Sequence, residues 1–107
     1  MYFKRLIDKI WKFVEERGWS PYQKPRSLAI SIVLEASELL EYFQWRDDKN
    51  FWRKYKKDSR FREGVADEIA DVLIYTLNLC KILSLDPEKI INNKIKKNAE
   101  KYPIGTI

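Results

Sequence analysis

The sequence predicts an all-α protein, arranged like a four-helix bundle with a short connecting helix. Three observations support this. Apolar residues recur at i, i+3 and i+4 through four long stretches, as one side of a helix requires. The three Gly and four Pro among the 107 residues fall mostly between those stretches. No run alternates apolar and polar residues for long enough to demand a strand. The length suits a single domain over residues 1–107.

The first helix is carried by Tyr2, Phe3, Leu6, Ile7, Ile10, Trp11, Phe13 and Val14, and should end near Arg17. Gly18 supplies its stop, because glycine enters the left-handed backbone region without steric cost. In the crossing segment GWSPYQKPR, Pro21 and Pro25 are expected to hold an extended path. Ser27 is the expected N-cap of a second helix spanning Leu28 to Trp45. The charged stretch RDDKNFWRKYKKDSR follows, with Phe51, Trp52 and Tyr55 at spacings that a short helix would bring together. It reads as a connecting helix over the core edge, with a movable cover over a neighbouring site as the sharper alternative. A long helix from Arg60 to Leu83 should bury Phe61, Val65, Ile69, Val72, Leu73, Thr76, Leu77, Cys80 and Leu83. Asp86 and Pro87 open the last helix as N-cap and first helical residue, and it continues through Ile90, Ile91 and Ile95 to about Lys101.

Composition narrows the functional classes. The net charge is +5, but charged residues of both signs are interspersed along the chain, as on a solvated surface. The basic excess, clearest from Arg53 to Arg62 and from Lys89 to Lys101, suits polyphosphate at least as well as a nucleic-acid backbone. A basic helical nucleic-acid-binding protein is accordingly the lesser alternative. Four Trp, six Tyr and five Phe are more large apolar surface than a small domain readily hides, which suggests a homodimer or homotetramer. Cys80 is the single cysteine and lies in an apolar run, so a disulfide within the chain and a cysteine zinc site are excluded. The N-terminal stretch is interrupted by charge every few residues, unlike a signal peptide or membrane span, so a cytoplasmic protein without membrane partners is expected.

The second and fourth helices each carry acids among apolar residues. Glu35 and Glu38 stand three apart, as do Glu68 and Asp71, and one offset carries Glu35 to Glu68 and Glu38 to Asp71. Residues at i and i+3 share a helix side, so each pair forms a short acidic row. Such acids either pair with Lys or Arg from neighbouring helices or converge on a cation. Their apolar flanks leave few cations on the same face, and converging carboxylates without compensation would repel. All-oxygen ligation points to Mg²⁺, with Mn²⁺ as a substitute, rather than zinc. The chain contains no histidine, so a di-iron site built on Glu-x-x-His is excluded. General-base work then falls to a carboxylate or to water activated by a metal. A row of Lys94, Asn98 and Tyr102, spaced by four, offers a cation, an amide and a phenol along one side of the last helix.

The motif Glu35-x-x-Glu38 followed by Glu68-x-x-Asp71 resembles the signature of the MazG-like all-α nucleoside triphosphate pyrophosphohydrolases. Phe13 to Trp19 (FVEERGW), Pro25-Arg26-x-Leu28, Glu41-x-Phe43-Gln44-Trp45, the run Ala70 to Tyr75, and Lys94-x-x-x-Asn98-x-x-x-Tyr102-Pro103 look most like the dCTP pyrophosphatase branch. The likeness extends over about residues 3–103. It implies an oligomeric all-α enzyme that hydrolyses a (deoxy)nucleoside triphosphate between the α and β phosphates, clearing unwanted nucleotides. By position it implies Glu35, Glu38, Glu68 and Asp71 as Mg²⁺ ligands, with Glu35 or Glu38 orienting or deprotonating the attacking water. It further implies that Lys94, Asn98 and Tyr102 contact phosphate or sugar, and that Trp19 and Trp45 bound the base pocket. One position departs from the branch: Gln23 stands where dCTP-preferring members usually carry His, so base selectivity is open. A catalytically silent nucleotide-binding module on the same fold is the alternative from another class.

Overall fold

A computed structural model describes residues 2–105 of the chain; the Tyr2 side chain lies outside what it describes. The all-α expectation is met by α1 (Tyr2–Glu16), α2 (Pro25–Glu41), α3 (Asp48–Lys57), α4 (Ser59–Ile82) and α5 (Pro87–Lys101). Most boundaries follow from capping chemistry. After α1, Gly18 adopts φ +69°, its N–H reaches Glu15 O at 3.0 Å, and Trp19 N reaches Val14 O at 3.0 Å. That paired closure satisfies carbonyls the last turn would otherwise leave open. Asp86 accepts from Glu88 N and Lys89 N ahead of Pro87, as its position before α5 suggests. Asp58 serves two helices, ending α3 and accepting from Arg60 N and Phe61 N at the start of α4. Asp58→Ala is expected to cost about 0.5–2 kcal/mol in chemical denaturation. A change below that range would mean that water replaces the cap.

Two expectations about α2 are corrected. Ser27 is not its N-cap: the helix begins at Pro25, behind Lys24, which is extended and makes no side-chain cap bond. Proline at the first helical position already has the required φ and lacks the N–H a cap would satisfy, so the helix starts without Ser27. The crossing is not extended throughout either, since Ser20–Tyr22 forms a single 3₁₀ turn around Pro21. At its other end α2 stops at Glu41 rather than Trp45. Tyr42 N and Phe43 N turn to the carbonyls three residues back, and Trp45 then takes φ +68°. A bulky side chain is strained in that left-handed region. Trp45 accordingly stands almost fully in solvent.

The principal packing pairs α2 with α4, and α1 and α3 both lie against α4. The contacts make the pair antiparallel: Gln23, before α2, meets Asn78 late in α4, while Tyr42 after α2 meets Phe61 and Gly64 early in α4. Gly64 is required by that approach, since a Cβ there would lie 2.8 Å from the Tyr42 ring. Val14, Leu28, Phe61, Val65, Leu77 and Cys80 form the buried core. Burial also raises the Cys80 thiol pKa, which fits an inert core residue. α3 behaves as a connecting helix, with Phe51 stacked on Phe43 at 4.5 Å and edge-on to Phe61 at 5.6 Å.

Not all of the expected apolar side of α4 is hidden. Ile69, Leu73 and Leu83 are about half exposed, as are Val33, Leu34 and Leu40 on α2. α5 makes at most marginal contact with the other helices. The radius of gyration is 17.0 Å, against about 13 Å for a compact chain of this length. A single copy is therefore open, with apolar faces that it does not cover itself.

Candidate active site

The four motif acids meet where α2 crosses α4. One oxygen each from Glu35, Glu68 and Asp71 lie within 4.8 Å of one another, and all three residues are half-buried. Glu38, one turn along α2, is exposed at the edge of this trio. The equal sequence offset does not produce two matched pairs. Because the helices run antiparallel, Glu35 faces Glu68 and Asp71 together, and Glu38 flanks Glu68.

No cation compensates these charges among the described residues; the ion pair found there joins Lys54 and Asp58, far along α3. Glu35 Oε2 and Glu68 Oε2 are buried without a hydrogen-bond partner. The neighbouring Glu68 carboxylate, then burial, then the Asp71 charge raise the Glu35 pKa. The neighbouring Glu35 carboxylate and its charge raise the Glu38 pKa. Burial first, then the charges of Glu35, Asp71 and Glu38, raise the Tyr75 phenol as well. Unpartnered carboxylate oxygens this close together fit a divalent cation, because only oxygen ligands are offered and their charges need neutralising.

The sign of the pH dependence follows. Folded-state glutamate pKa values above the unfolded value contribute stability that is full below about pH 4.3 and is lost as pH rises through the raised values. Without metal, the melting temperature should fall as pH increases across that window, and a divalent cation should restore it near neutrality. A cation effect of equal size in acid and at neutral pH would contradict this account.

Two cavities adjoin the cluster. One, of about 470 Å³, is lined by Trp19, Gln23, Asp71, Tyr75 and Asn78 together with residues of α1. The other, of about 440 Å³, is lined by Glu38, Glu41, Tyr42, Arg46, Phe61 and Glu68. Trp19 packs edge-on against Phe13 at 5.7 Å. Gln23 accepts a hydrogen bond from Asn78 Nδ2 at 3.2 Å. Arg46 donates to Tyr42 O at 3.0 Å, and its guanidinium carbon lies 5.0 Å from the centre of the Phe61 ring.

The structure thus brings Trp19 and Gln23 to the cavity that Asp71 enters. It does not bring Trp45, Lys94, Asn98 or Tyr102 to the acids within one chain: all four are exposed, the last three on or just after the outlying α5. Tyr75, Asn78 and Arg46 line the two cavities and are not singled out by the sequence reading. Tyr75 and Asn78 follow Asp71 by four and seven, on one helix side, so the signal was present in α4. Among the described residues no helix is long and apolar enough to cross a membrane.

Comparison with known proteins fits this arrangement. The profile of the MazG-like family matches residues 30–106, a span that holds all four acids and leaves out Trp19 and Gln23. The chain is 31% identical over 97 residues to dCTP pyrophosphatase 1 of Rattus norvegicus, covering 87% of this chain and 54% of that protein. It is 32% identical over 96 residues to dCTP pyrophosphatase 1 of Homo sapiens, with 86% and 54% covered. It therefore spans about half the length of the curated relatives it matches. A crystal structure of a pyrophosphatase from Archaeoglobus fulgidus superposes with a TM-score of 0.87 at 38% identity, covering 96% of this chain and 94% of that one. With an acidic motif lying inside the matched span and the same fold over almost all its length, the chain belongs to the MazG-like family.

Proposed function

We propose that this protein hydrolyses (deoxy)nucleoside triphosphates to the monophosphate and pyrophosphate, as a cytoplasmic enzyme that clears unwanted nucleotides. The observation that carries this reading is the uncompensated convergence of Glu35, Glu68 and Asp71 between two cavities. Glu35, Glu38, Glu68 and Asp71 are the ligands for Mg²⁺, or for Mn²⁺ in its place. When bound, the cation neutralises phosphate charge and makes water a better nucleophile. Glu38 and Glu35 orient the attacking water and take its proton. The water oxygen bonds to the α-phosphorus, the bond to the bridging oxygen breaks, and pyrophosphate leaves.

The base lies in the Trp19 and Gln23 cavity, which Asp71 joins to the acids. Arg46 lines the opposite cavity, where a guanidinium suits the departing pyrophosphate. Lys94, Asn98, Tyr102 and the exposed Trp45 serve the site of a neighbouring copy in a homodimer or homotetramer. That assignment is supported by an α5 that packs on little else in its own chain.

Product analysis on a panel of nucleoside triphosphates, with Mg²⁺ and with excess chelator, tests the proposal. Monophosphate and pyrophosphate, formed only with metal, are the expected products. Diphosphate and orthophosphate would refute the assigned bond. Nucleotide-dependent thermal stabilisation without turnover would instead identify a silent binding module.

A further inference from the structure

Both charge signs occur along α3, but the helix sorts them by side. Phe51 and Tyr55 stand four apart and turn inward, with Phe51 against Phe43 and Phe61. Lys49, Trp52, Arg53, Lys56 and Lys57 then fall on the outer side at spacings of three and four, and all five are exposed. They line an open hollow of about 480 Å³ to which no acid contributes. The acids at the ends of the helix are engaged elsewhere: Asp47 accepts from Asn50 N, and Asp58 from Arg60 N and Phe61 N. Asp58 also takes the ion pair found among the described residues, with Lys54, which leaves the cations of the hollow without one. Asp48, in the first turn, is too little to balance them.

Like charges at i and i+4, as in Lys49 with Arg53 and Arg53 with Lys57, destabilise a helix slightly, so such a face gains from a polyanion. The ring among them narrows the choice. Trp52 is 55% exposed, yet it is held edge-on to Phe51 at 5.8 Å and to Tyr55 at 5.7 Å. Neighbours that pack on the core thus fix its position and leave about half of it open. A fixed, exposed aromatic ring flanked by cations suits a single strand, whose phosphates meet the cations while an unstacked base covers the ring. Inorganic polyphosphate would leave the ring bare. A bilayer surface calls for an apolar stripe along the helix, and Trp52 is the one apolar residue in the hollow.

We propose that the outer side of α3 is a docking surface for single-stranded nucleic acid, with Lys49, Arg53, Lys56 and Lys57 against phosphates and Trp52 stacked on a base. The surface is separate from the carboxylate site, since none of its residues lines either cavity beside the acids. It therefore stands independently of the hydrolytic reading. Recognition of this kind tolerates many sequences, because every base has a flat face.

Fluorescence anisotropy of a labelled single-stranded oligothymidylate with the full chain tests this, in Mg²⁺ and in excess chelator. The expected Kd is about 10⁻⁴–10⁻⁶ M near physiological salt, the same in both buffers. Four phosphate contacts should make log K fall with log salt at a slope of about −2.8, and Lys56→Gln with Lys57→Gln should bring it to about −1.4. Trp52→Ala should weaken binding about 5–150-fold. All of these residues are exposed, so the variants should keep the helix content and nucleotide turnover of the wild type. Absence of binding at low salt would overturn the proposal and leave the hydrolytic reading untouched. Equal affinity for a duplex or for inorganic polyphosphate, with Trp52→Ala without effect, would overturn the assignment to a single strand. Binding that needs Mg²⁺ and is lost in Glu35→Gln would place the oligonucleotide at the carboxylates and overturn the assignment to α3. Binding to phosphatidylserine vesicles but not to the oligonucleotide would replace nucleic acid with a membrane surface.

Discussion

Glu35→Gln is expected to reduce kcat/KM by about 10²–10⁴-fold, and in the same variant to raise the melting temperature of the metal-free protein at pH 7. The two effects have one origin. Glu35 has an oxygen within 4.8 Å of oxygens of both Glu68 and Asp71, and those two acids and burial all raise its pKa. At neutral pH, without a cation, it adds repulsion to a cluster that holds two orphaned oxygens. A glutamine keeps the shape, removes the charge, and offers an amide N–H that can satisfy Glu68 Oε2. The variant should therefore show a flatter dependence of stability on pH than the wild-type protein. It should also lose most of the stabilisation that Mg²⁺ confers, because stabilisation by a ligand scales with its affinity for the folded state. Glu38→Gln should abolish turnover with a smaller gain in stability, since Glu38 is exposed at the edge of the cluster. The combination of lost activity and gained stability is the diagnostic. If Glu35→Gln melts lower than the wild type without metal at pH 7, the carboxylates are structural and the metal assignment fails.

Much of this could be read from residues, and what could not has physical causes. Gly18, Asp86 and Pro87 mark boundaries because each has one dominant backbone role, and the structure uses each in that role. Ser27 misled because serine at a helix start is a good cap only when the preceding residues do not already start the helix, as Pro25 does. The end of α2 was illegible for a different reason. A left-handed residue after a helix is usually Gly or Asn, and here it is Trp45, which propensity would never choose. The acidic motif was legible as two rows but its pairing was not, because spacing along the chain carries no information about helix direction. Asn78 was illegible because an amide in an apolar run reads as an interruption of the core, and its partner Gln23 lies 55 residues away along the chain. Ile69 and Leu73 fitted the apolar pattern of α4 and are exposed nonetheless, since periodicity marks a face to be buried without saying which chain buries it.

That distinction matters most for α5, where Ile91→Lys with Ile95→Lys is expected to dissociate the protein and lower its activity by about 10²-fold or more. Ile91, Lys94, Ile95, Asn98 and Tyr102 recur at three and four residues, so they share one side of the helix. This side is exposed along its length and is not covered by the chain's own α1 to α4. The acids present the complementary deficit: among the described residues of one copy no cation is paired with them. Seating the α5 of one copy against the apolar α2 and α4 faces of another, around Leu34, Leu40 and Leu73, would bury the isoleucines. It would also carry Lys94, Asn98 and Tyr102 towards a nucleotide held by the partner's acids. Two lysines in place of isoleucines put charge in the centre of that contact, where its desolvation is unfavourable. Light scattering should then show a wild-type mass that is a multiple of 12.9 kDa, and a variant at 12.9 kDa with its helix content retained. Activity should recover partly at high protein concentration, which a simple folding defect would not allow. A fully active variant at 12.9 kDa would show that each chain completes its own site and that Lys94, Asn98 and Tyr102 belong to the solvated surface.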